Sequence, residues 1–171
     1  NSFLLKKPYI TLIKYAAFFG SIQIFNYLYK NNVELIQDLW LFGIHGNNPE
    51  IIHILEENEI ILAHGIPNKN KDEWDDEYDE DILFYAECFK ESIKCHHNQI
   101  ALYIQQNYID AYDLDLISTQ YSLEYFNFQF YPNKLNKISF LYACKYNNYL
   151  VVKFLLDNVC ININDKLNDI F

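Results

Sequence analysis

The sequence contains no arginine and no methionine, and only four of its 171 residues are glycine. Without arginine the chain lacks the guanidinium group, which forms two parallel hydrogen bonds with a phosphate or with the edge of guanine. Lysine offers only a point charge. The formal net charge of -10 also opposes contact with a polyanion. We therefore predict that the protein does not bind nucleic acid.

Long apolar runs and catalytic motifs are also missing. No apolar segment approaches the roughly 18 residues that a membrane-spanning helix requires, so we predict no membrane span. The sequence contains no glycine-rich phosphate loop, no nucleophile elbow and no HExxH motif. We therefore predict a protein that is not an enzyme and that needs no cofactor.

The cysteines are few for a chain of this length. Four of them, Cys88, Cys95, Cys144 and Cys160, occur in a chain that is long enough to fold without disulfides. This favours a reducing intracellular location, which we predict to be cytoplasmic or cytoskeletal. Because the sequence starts without methionine, at what reads as the end of an element, we also expect it to be an internal part of a longer protein.

The chain is rich in apolar and aromatic residues, at 51% and 18%, which is enough for a single folded domain over residues 1–171. Its acidity is local, because eight of its 23 acidic residues lie in "DEWDDEYDED", leaving 15 elsewhere against 13 lysines. We predict an acidic insertion loop over residues 66–80. It is either simply solvated or a docking segment for a basic partner, with Trp74 and Tyr78 as apolar anchors.

Internal repeats organise the sequence. The segment "AAFFGSIQIFNYL" (residues 16–28) aligns without gaps with "ACKYNNYLVVKFL" at an offset of 127. It aligns with "GIHGNNPEIIHIL" at 27, with "SIKCHHNQIALYI" at 76 and more weakly with "ISTQYSLEYFNFQ" at 101. The steps are close to 26 residues except for one of 49, which holds the acidic insertion. Such self-similarity is typical of stacked repeat units.

The residues at equivalent positions of the copies, here called columns, indicate a helix, a tight turn and a second helix. The columns that begin at Ile13 and Ile24 are apolar throughout and are predicted to be core. The column of Ala16 is mostly small, as expected where helices approach closely. The column of Ser21 continues as Asn48, His97, Ser122 and Asn148 and predicts the N-caps of the second helices, since Ser and Asn accept hydrogen bonds from free backbone N–H groups.

These features resemble the ankyrin repeat. Thr11, the pair Ala16 and Ala17, Gly20 and the following "IQIFNYL" are similar to the threonine, paired alanines, glycine and apolar second helix of that family, although Leu12 replaces its proline and Lys14 its histidine. The chain looks like the divergent short-repeat ankyrin proteins of A+T-rich protist genomes. The resemblance implies an all-α solenoid of about five stacked helix-turn-helix repeats with one acidic insertion. It also implies contacts with neighbouring repeats of the same parent chain.

Metal ligands in the sequence do not follow a recognised spacing. Cys88, Cys95, His96 and His97 are the closest candidates, with His45, His53 and His64 elsewhere, but neither C-x2-4-C nor H-x3-5-H is present. The repeat alignment places Cys95, His96 and His97 in a turn, where polar residues are common. We therefore predict no metal site.

The resemblance implies protein binding on a concave face formed by the ends of the first helices. The residues expected there include Phe18, Phe19, His45, Lys94, Lys145 and Tyr146. Two adjacent exposed phenylalanines would be costly unless another molecule, or a further repeat, covered them. We predict a non-catalytic protein interaction scaffold, for example within a large assembly such as the cytoskeleton. The alternative is a regulatory or targeting repeat domain of a longer protein that carries an enzymatic domain.

Overall fold

The computed structural model describes residues 3–6, 9–60, 80–109, 111–132 and 137–158. The regular secondary structure in these ranges is entirely helical. This confirms the predicted all-α fold class. Two compact units divide the chain, residues 1–108 and 109–171. The α-helices are α1 (Leu12–Phe18), α2 (Ile22–Lys30), α3 (Leu39–His45), α4 (Pro49–Glu57), α5 (Glu80–Lys94), α6 (Asn98–Tyr108), α7 (Ala111–Glu124), α8 (Lys137–Lys145) and α9 (Tyr149–Asn158).

The first unit has two layers of helices. The first helices α1, α3 and α5 pack side by side, while α2, α4 and α6 pack on the helix that precedes each of them. Helices this short are not stable alone in water, so the pairs depend on the apolar surface that they bury against each other. The largest fully buried side chains of this unit are Ile13, Phe25, Leu39, Trp40, Phe42, Ile44, Ile51, Leu55, Phe89, Ile93 and Ile104.

A shared turn ends the first helix of each pair. Its second residue has a left-handed φ between 50° and 62°, at Gly20, Asn47, His96, Phe126 and Asn147. In four of the five turns the next N–H donates a hydrogen bond back to a carbonyl five residues earlier, as a Schellman motif does. These donor and acceptor pairs are Ser21 with Ala16, His97 with Ser92, Asn127 with Ser122, and Asn148 with Ala143, at 2.8–3.1 Å.

The predicted core columns are confirmed for the first helices. Ile13, Trp40 and Phe89 are buried, and Leu114 and Phe140 are half-buried. The small-residue column is also confirmed, since Ala16, Gly43, Ser92 and Ala143 are all buried. At Gly43 an added Cβ would meet Ile51 and Ile52 of α4, so the small residue here lets α3 lie close to the second helix of its own pair.

One residue of the second core column does not lie in the core. Ile24 is 57% exposed, whereas its equivalents Ile51 and Ile100 are buried. Helix α2 packs mainly against α1 and α4, and Ile24 lies on a side of α2 that neither helix covers. Its neighbour Phe25 is fully buried instead.

The fourth copy has a different register from the predicted one. Helix α7 continues to Glu124, and the turn with positive φ lies at Phe126, five residues later than the alignment implied. Ser122 is therefore not an N-cap: it is fully buried inside α7, and its hydroxyl has no hydrogen-bond partner among the described residues. Asn127 occupies the cap position, and a 3-10 helix over Phe128–Phe130 replaces the second α-helix.

Two of the predicted N-cap residues also connect neighbouring repeats. Asn48 accepts from the backbone N–H of Glu50, and its amide donates to the carbonyl of Gly20 at 3.0 Å. Asn148 donates to the carbonyl of Leu123 at 2.8 Å. Ser21, in contrast, makes no side-chain capping bond. The asparagine amide, which serine lacks, therefore adds a bond between repeats.

A second asparagine column closes the second helices and was not predicted. The side-chain amides of four asparagines donate to carbonyls four residues earlier, at 2.7–2.8 Å, namely Asn31, Asn58, Asn107 and Asn158. Their spacing repeats the offsets of 27, 76 and 127 found in the sequence. The carbonyls of Tyr27 and Ile54 also accept from the backbone N–H of Asn31 and Asn58, so the side-chain amides add a second bond at these helix ends.

The second unit is built around α7, α8 and α9. Helix α8 packs against both α7 and α9, and the 3-10 helix packs against α7. Leu123, Ala143 and Leu155 form its buried centre, with partly buried tyrosines, valines and Phe140 around them. In the ranges that the structure describes, no helix is both long and apolar enough to cross a membrane.

Candidate functional site

The predicted binding residues of the first unit lie at the C-terminal ends of α1, α3 and α5, but they are not equally exposed. Phe19 is 55% exposed, as expected. Phe18 is only 8% exposed, which contradicts the expectation of two exposed phenylalanines. The reason is a stack with His45 of the next repeat, with ring centroids 3.9 Å apart and planes at 17°. A neighbour within this chain therefore covers Phe18.

Two exposed aromatic rings form a continuous surface on α1, which we call the aromatic patch. Tyr15 and Phe19 are 52% and 55% exposed, and their ring centroids lie 4.7 Å apart. Phe18 contacts one edge of the patch, since its ring centroid is 5.0 Å from that of Phe19. Because Phe18 is fixed against His45, the two exposed rings have a rigid support.

Beside this patch the structure brings together three polar side chains that the sequence analysis did not connect. His45 from the end of α3, Glu91 in α5 and Cys95 just after α5 each present a ligand-type atom, and these atoms lie within 4.8 Å of one another. We call this group the His-Glu-Cys cluster. Glu91 is 9% exposed, and the other two are half-buried.

Hydrogen bonds and burial set the protonation of the cluster. The Cys95 thiol donates to Oε1 of Glu91 at 3.6 Å, and Lys94 Nζ donates to Oε2 at 2.8 Å. Burial, reinforced by the negative charge of Glu91, raises the pKa of the Cys95 thiol to about 12. Burial lowers the pKa of His45, so its imidazole is neutral at pH 7. The cluster thus holds a neutral imidazole, a buried carboxylate and a protonated thiol.

The repeat alignment contained a signal for this cluster. His45 and Lys94 share one column, and Cys95 belongs to the next, so His45 and Cys95 occupy adjacent columns of consecutive repeats. Glu91 lies one helical turn before Cys95, on the same face of α5. The spacing along the sequence did not predict the cluster, because Cys95 lies 50 positions after His45 and the acidic insertion falls between them.

The predicted residues of the second unit lie around the end of α8. The Tyr146 hydroxyl donates to Oε2 of Glu124 at 2.9 Å. Lys145 Nζ lies 5.1 Å from the ring centroid of Tyr146, within the range of a cation–π contact. Burial and the bond to Glu124 raise the pKa of Tyr146. Lys145 is exposed and Tyr146 is half-buried.

Two further predicted residues, Trp74 and Tyr78, lie outside the described residues. The same holds for residues 66–79 of the predicted acidic insertion, while Glu80 begins α5. The docking role of this segment therefore stays a prediction.

A cavity of about 370 Å³ lies between α4 and α6, away from the predicted binding residues. Oxygen Oε1 of Glu56 accepts hydrogen bonds there from the hydroxyls of Tyr103 and Tyr108. Burial alone would raise the pKa of Glu56, but these hydrogen bonds and the nearby His53 lower it overall. The residues that line the cavity are Asn47, Pro49, Ile52, His53, Glu56, Gln99, Ile100 and Tyr103.

Comparison with known families identifies the helix pairs. The family model "Ankyrin repeat" matches residues 140–166, which include most of α8 and all of α9. Residues 140–166 are therefore one ankyrin repeat, which agrees with the family that the sequence resembles. Ankyrin repeats are non-catalytic modules that bind other proteins, which agrees with the predicted class of function. No curated protein and no solved structure matches the chain.

Proposed function

We propose that this protein is a non-catalytic scaffold that holds another protein against the aromatic patch of its first unit. The observation that supports the proposal is the exposed contact between Tyr15 and Phe19. Aromatic side chains are enriched among the residues that contribute most to protein interfaces. They bury a large area while losing little side-chain entropy.

The support beneath the patch favours binding without rearrangement. Phe18 and His45 hold the rings from below, so docking need not order these side chains, and that reduces the entropy cost of association. On the same side of the unit, Lys94 and His45 provide polar groups for the rim of the interface. We propose that this surface is the concave face of the repeat array.

Two other parts of the chain belong to the same proposal. Lys145 and Tyr146 form a separate binding surface within the second unit, where the lysine lies over the tyrosine ring. Trp74 and Tyr78 of the acidic stretch bind a basic segment of the partner, since eight carboxylates there attract cationic side chains.

The proposed setting is intracellular, in the cytoplasm or the cytoskeleton. Cys88, Cys95 and Cys144 are free thiols, which persist in the reducing cytosol and are uncommon in secreted domains. Repeat arrays assemble rigid binding surfaces from a simple unit, which suits a large assembly.

The proposal is tested by comparing partner capture between exposed-site variants. Tyr15→Ser and Phe19→Ser each remove one ring of the patch. Tyr27→Ser is the matched control, because Tyr27 is also an exposed tyrosine but lies on α2. We expect quantitative mass spectrometry to find proteins that the wild type and Tyr27→Ser capture and that both patch variants lose. Equal capture by all four proteins, or loss only with Tyr27→Ser, would contradict the proposal.

The alternative proposal is that these repeats regulate or target an enzymatic domain elsewhere in a longer protein. The sequence of the full parent chain separates the two, because a non-repeat domain with a catalytic constellation favours regulation. In that case Phe19→Ser should alter the activity of the full-length enzyme, whereas a pure scaffold has no activity to alter.

A further inference from the structure

The His-Glu-Cys cluster offers three different donor atoms at one point of the surface. A ring nitrogen of His45, a carboxylate oxygen of Glu91 and the sulfur of Cys95 lie within 4.8 Å of one another. Tetrahedral zinc binds such atoms at about 2.0–2.3 Å, which places them roughly 3.3–3.8 Å apart. The Cys95 sulfur and Glu91 Oε1 are already separated by 3.6 Å.

We propose that His45, Glu91 and Cys95 form a zinc-binding site that joins α3 to the end of α5. Mixed nitrogen, oxygen and sulfur donors suit a borderline-soft ion such as Zn²⁺ better than Mg²⁺ or Ca²⁺, which select oxygen ligands. Three protein ligands leave one tetrahedral position for water, the arrangement of an open zinc site. The proposal does not rest on partner binding.

The surroundings of the cluster orient its ligands. Phe18 stacks on the His45 ring and fixes its plane, while the His45 carbonyl accepts a hydrogen bond from His97 Nε2 at 3.3 Å. Contacts of this kind around a metal site hold its ligands in position.

Charge balance explains how the thiol becomes a ligand. On binding, the Cys95 thiol loses its proton to solvent and a zinc–sulfur bond forms, so one proton is released for each ion bound. The thiolate and the Glu91 carboxylate then neutralise the two positive charges of Zn²⁺. Because the ligand must lose this proton, protons compete with the metal and affinity falls as the pH is lowered.

Lys94 is the competitor of the metal in this site. Its ammonium group bonds to Glu91 Oε2 at 2.8 Å, which neutralises part of the carboxylate charge that attracts a cation. Removing this charge should therefore strengthen metal binding. If the three side chains lie close together but bind no metal, removing the Lys94 charge would not strengthen metal binding.

The experiment titrates tag-free protein with Co²⁺, a spectroscopic substitute for Zn²⁺, and then displaces it with Zn²⁺. We expect one equivalent of Co²⁺ to give tetrahedral d–d bands and a sulfur-to-cobalt charge-transfer band. Cys95→Ser should abolish the charge-transfer band and weaken binding by at least about tenfold. Cys144→Ser is the matched control, since Cys144 is exposed in the second unit, and it should bind like the wild type.

Two further variants keep the test independent of misfolding. His45→Phe preserves an aromatic ring against Phe18 but removes the ligand nitrogen, so the fold should survive while Co²⁺ binding is lost. Lys94→Gln should bind Co²⁺ about fivefold more tightly, as expected from removing one nearby positive charge. The absence of stoichiometric binding, or an unchanged charge-transfer band in Cys95→Ser, would overturn the proposal.

Discussion

Phe18 of one repeat stacks on His45 of the next, with ring centroids 3.9 Å apart. The stack separates two adjacent phenylalanines into different roles, because Phe18 is buried between repeats while Phe19 stays exposed. It also holds the His45 ring at the edge of the cluster with Glu91 and Cys95. One aromatic contact therefore supports both the aromatic patch and the proposed metal site.

The two phenylalanines should respond differently to truncation. We expect Phe18→Ala to lower the free energy of unfolding by about 3 kcal/mol, because it leaves a cavity against His45 and Phe42. Phe19→Ala should change it by no more than about 0.5 kcal/mol, since that ring is exposed. Urea unfolding followed by far-UV circular dichroism measures both values. Equal losses would mean that Phe19 is also core.

Gly46 should not tolerate a side chain. An added Cβ would lie 2.1 Å from the carbonyl oxygen of Ala17, a backbone atom that cannot move aside. We expect Gly46→Ala to cost roughly 2–3 kcal/mol or more, because the ends of α1 and α3 must separate. Thermal unfolding of the purified variants measures the loss.

Gly43→Ala is the matched control for Gly46→Ala. Its Cβ would meet only methyl groups of Ile51 and Ile52, at 3.1 and 3.2 Å. Alanine also favours the helix over glycine by about 1 kcal/mol, which offsets the crowding. A Gly43→Ala variant less stable than Gly46→Ala would contradict this account of the close approach.

Glu56 should make stability depend on pH in the acid range. Its folded pKa lies below the ordinary value of 4.5 because Tyr103, Tyr108 and His53 stabilise the carboxylate more than burial destabilises it. The stabilisation is therefore fully present above pH 4.5 and is lost as the pH falls through the lower folded pKa. We expect Glu56→Gln to be less stable than the wild type at pH 7, with the difference shrinking below pH 4.5. Urea midpoints across the range, with exposed Glu59→Gln as control, measure it.

The register of the fourth copy can be tested by two substitutions in the second unit. Ser122→Ala should be neutral or slightly stabilising, because the buried hydroxyl has no partner among the described residues. Asn148→Ala should cost about 1–3 kcal/mol, because it leaves the buried carbonyl of Leu123 without its hydrogen bond. A loss of about 1 kcal/mol in Ser122→Ala would instead support the N-cap predicted from the sequence.

The sequence predicted most of the local structure correctly. Helix pairs, the small column at Ala16 and the cap at Asn48 follow from hydrophobic period and from contacts within a few residues. The fourth copy was misaligned because its turn places Phe126 in a left-handed conformation. Phenylalanine gives no sequence signal for that conformation, unlike the glycine or asparagine found at three of the other four turns.

The candidate site was only partly predictable. The alignment placed Phe19, His45 and Lys94 at the ends of the first helices, where the structure has them. It did not show that Glu91 and Cys95 approach His45, because that approach depends on how closely α3 packs against α5.

The sequence by itself determined the repeated unit, since the turns and the asparagine bonds that close the second helices each involve residues at most five positions apart. Only the tertiary structure decided which of two adjacent phenylalanines is buried and which polar side chains meet. Those outcomes depend on atoms that lie 27 or more residues apart in the chain. The distance in space between these residues is set by helix packing, which no local sequence pattern encodes.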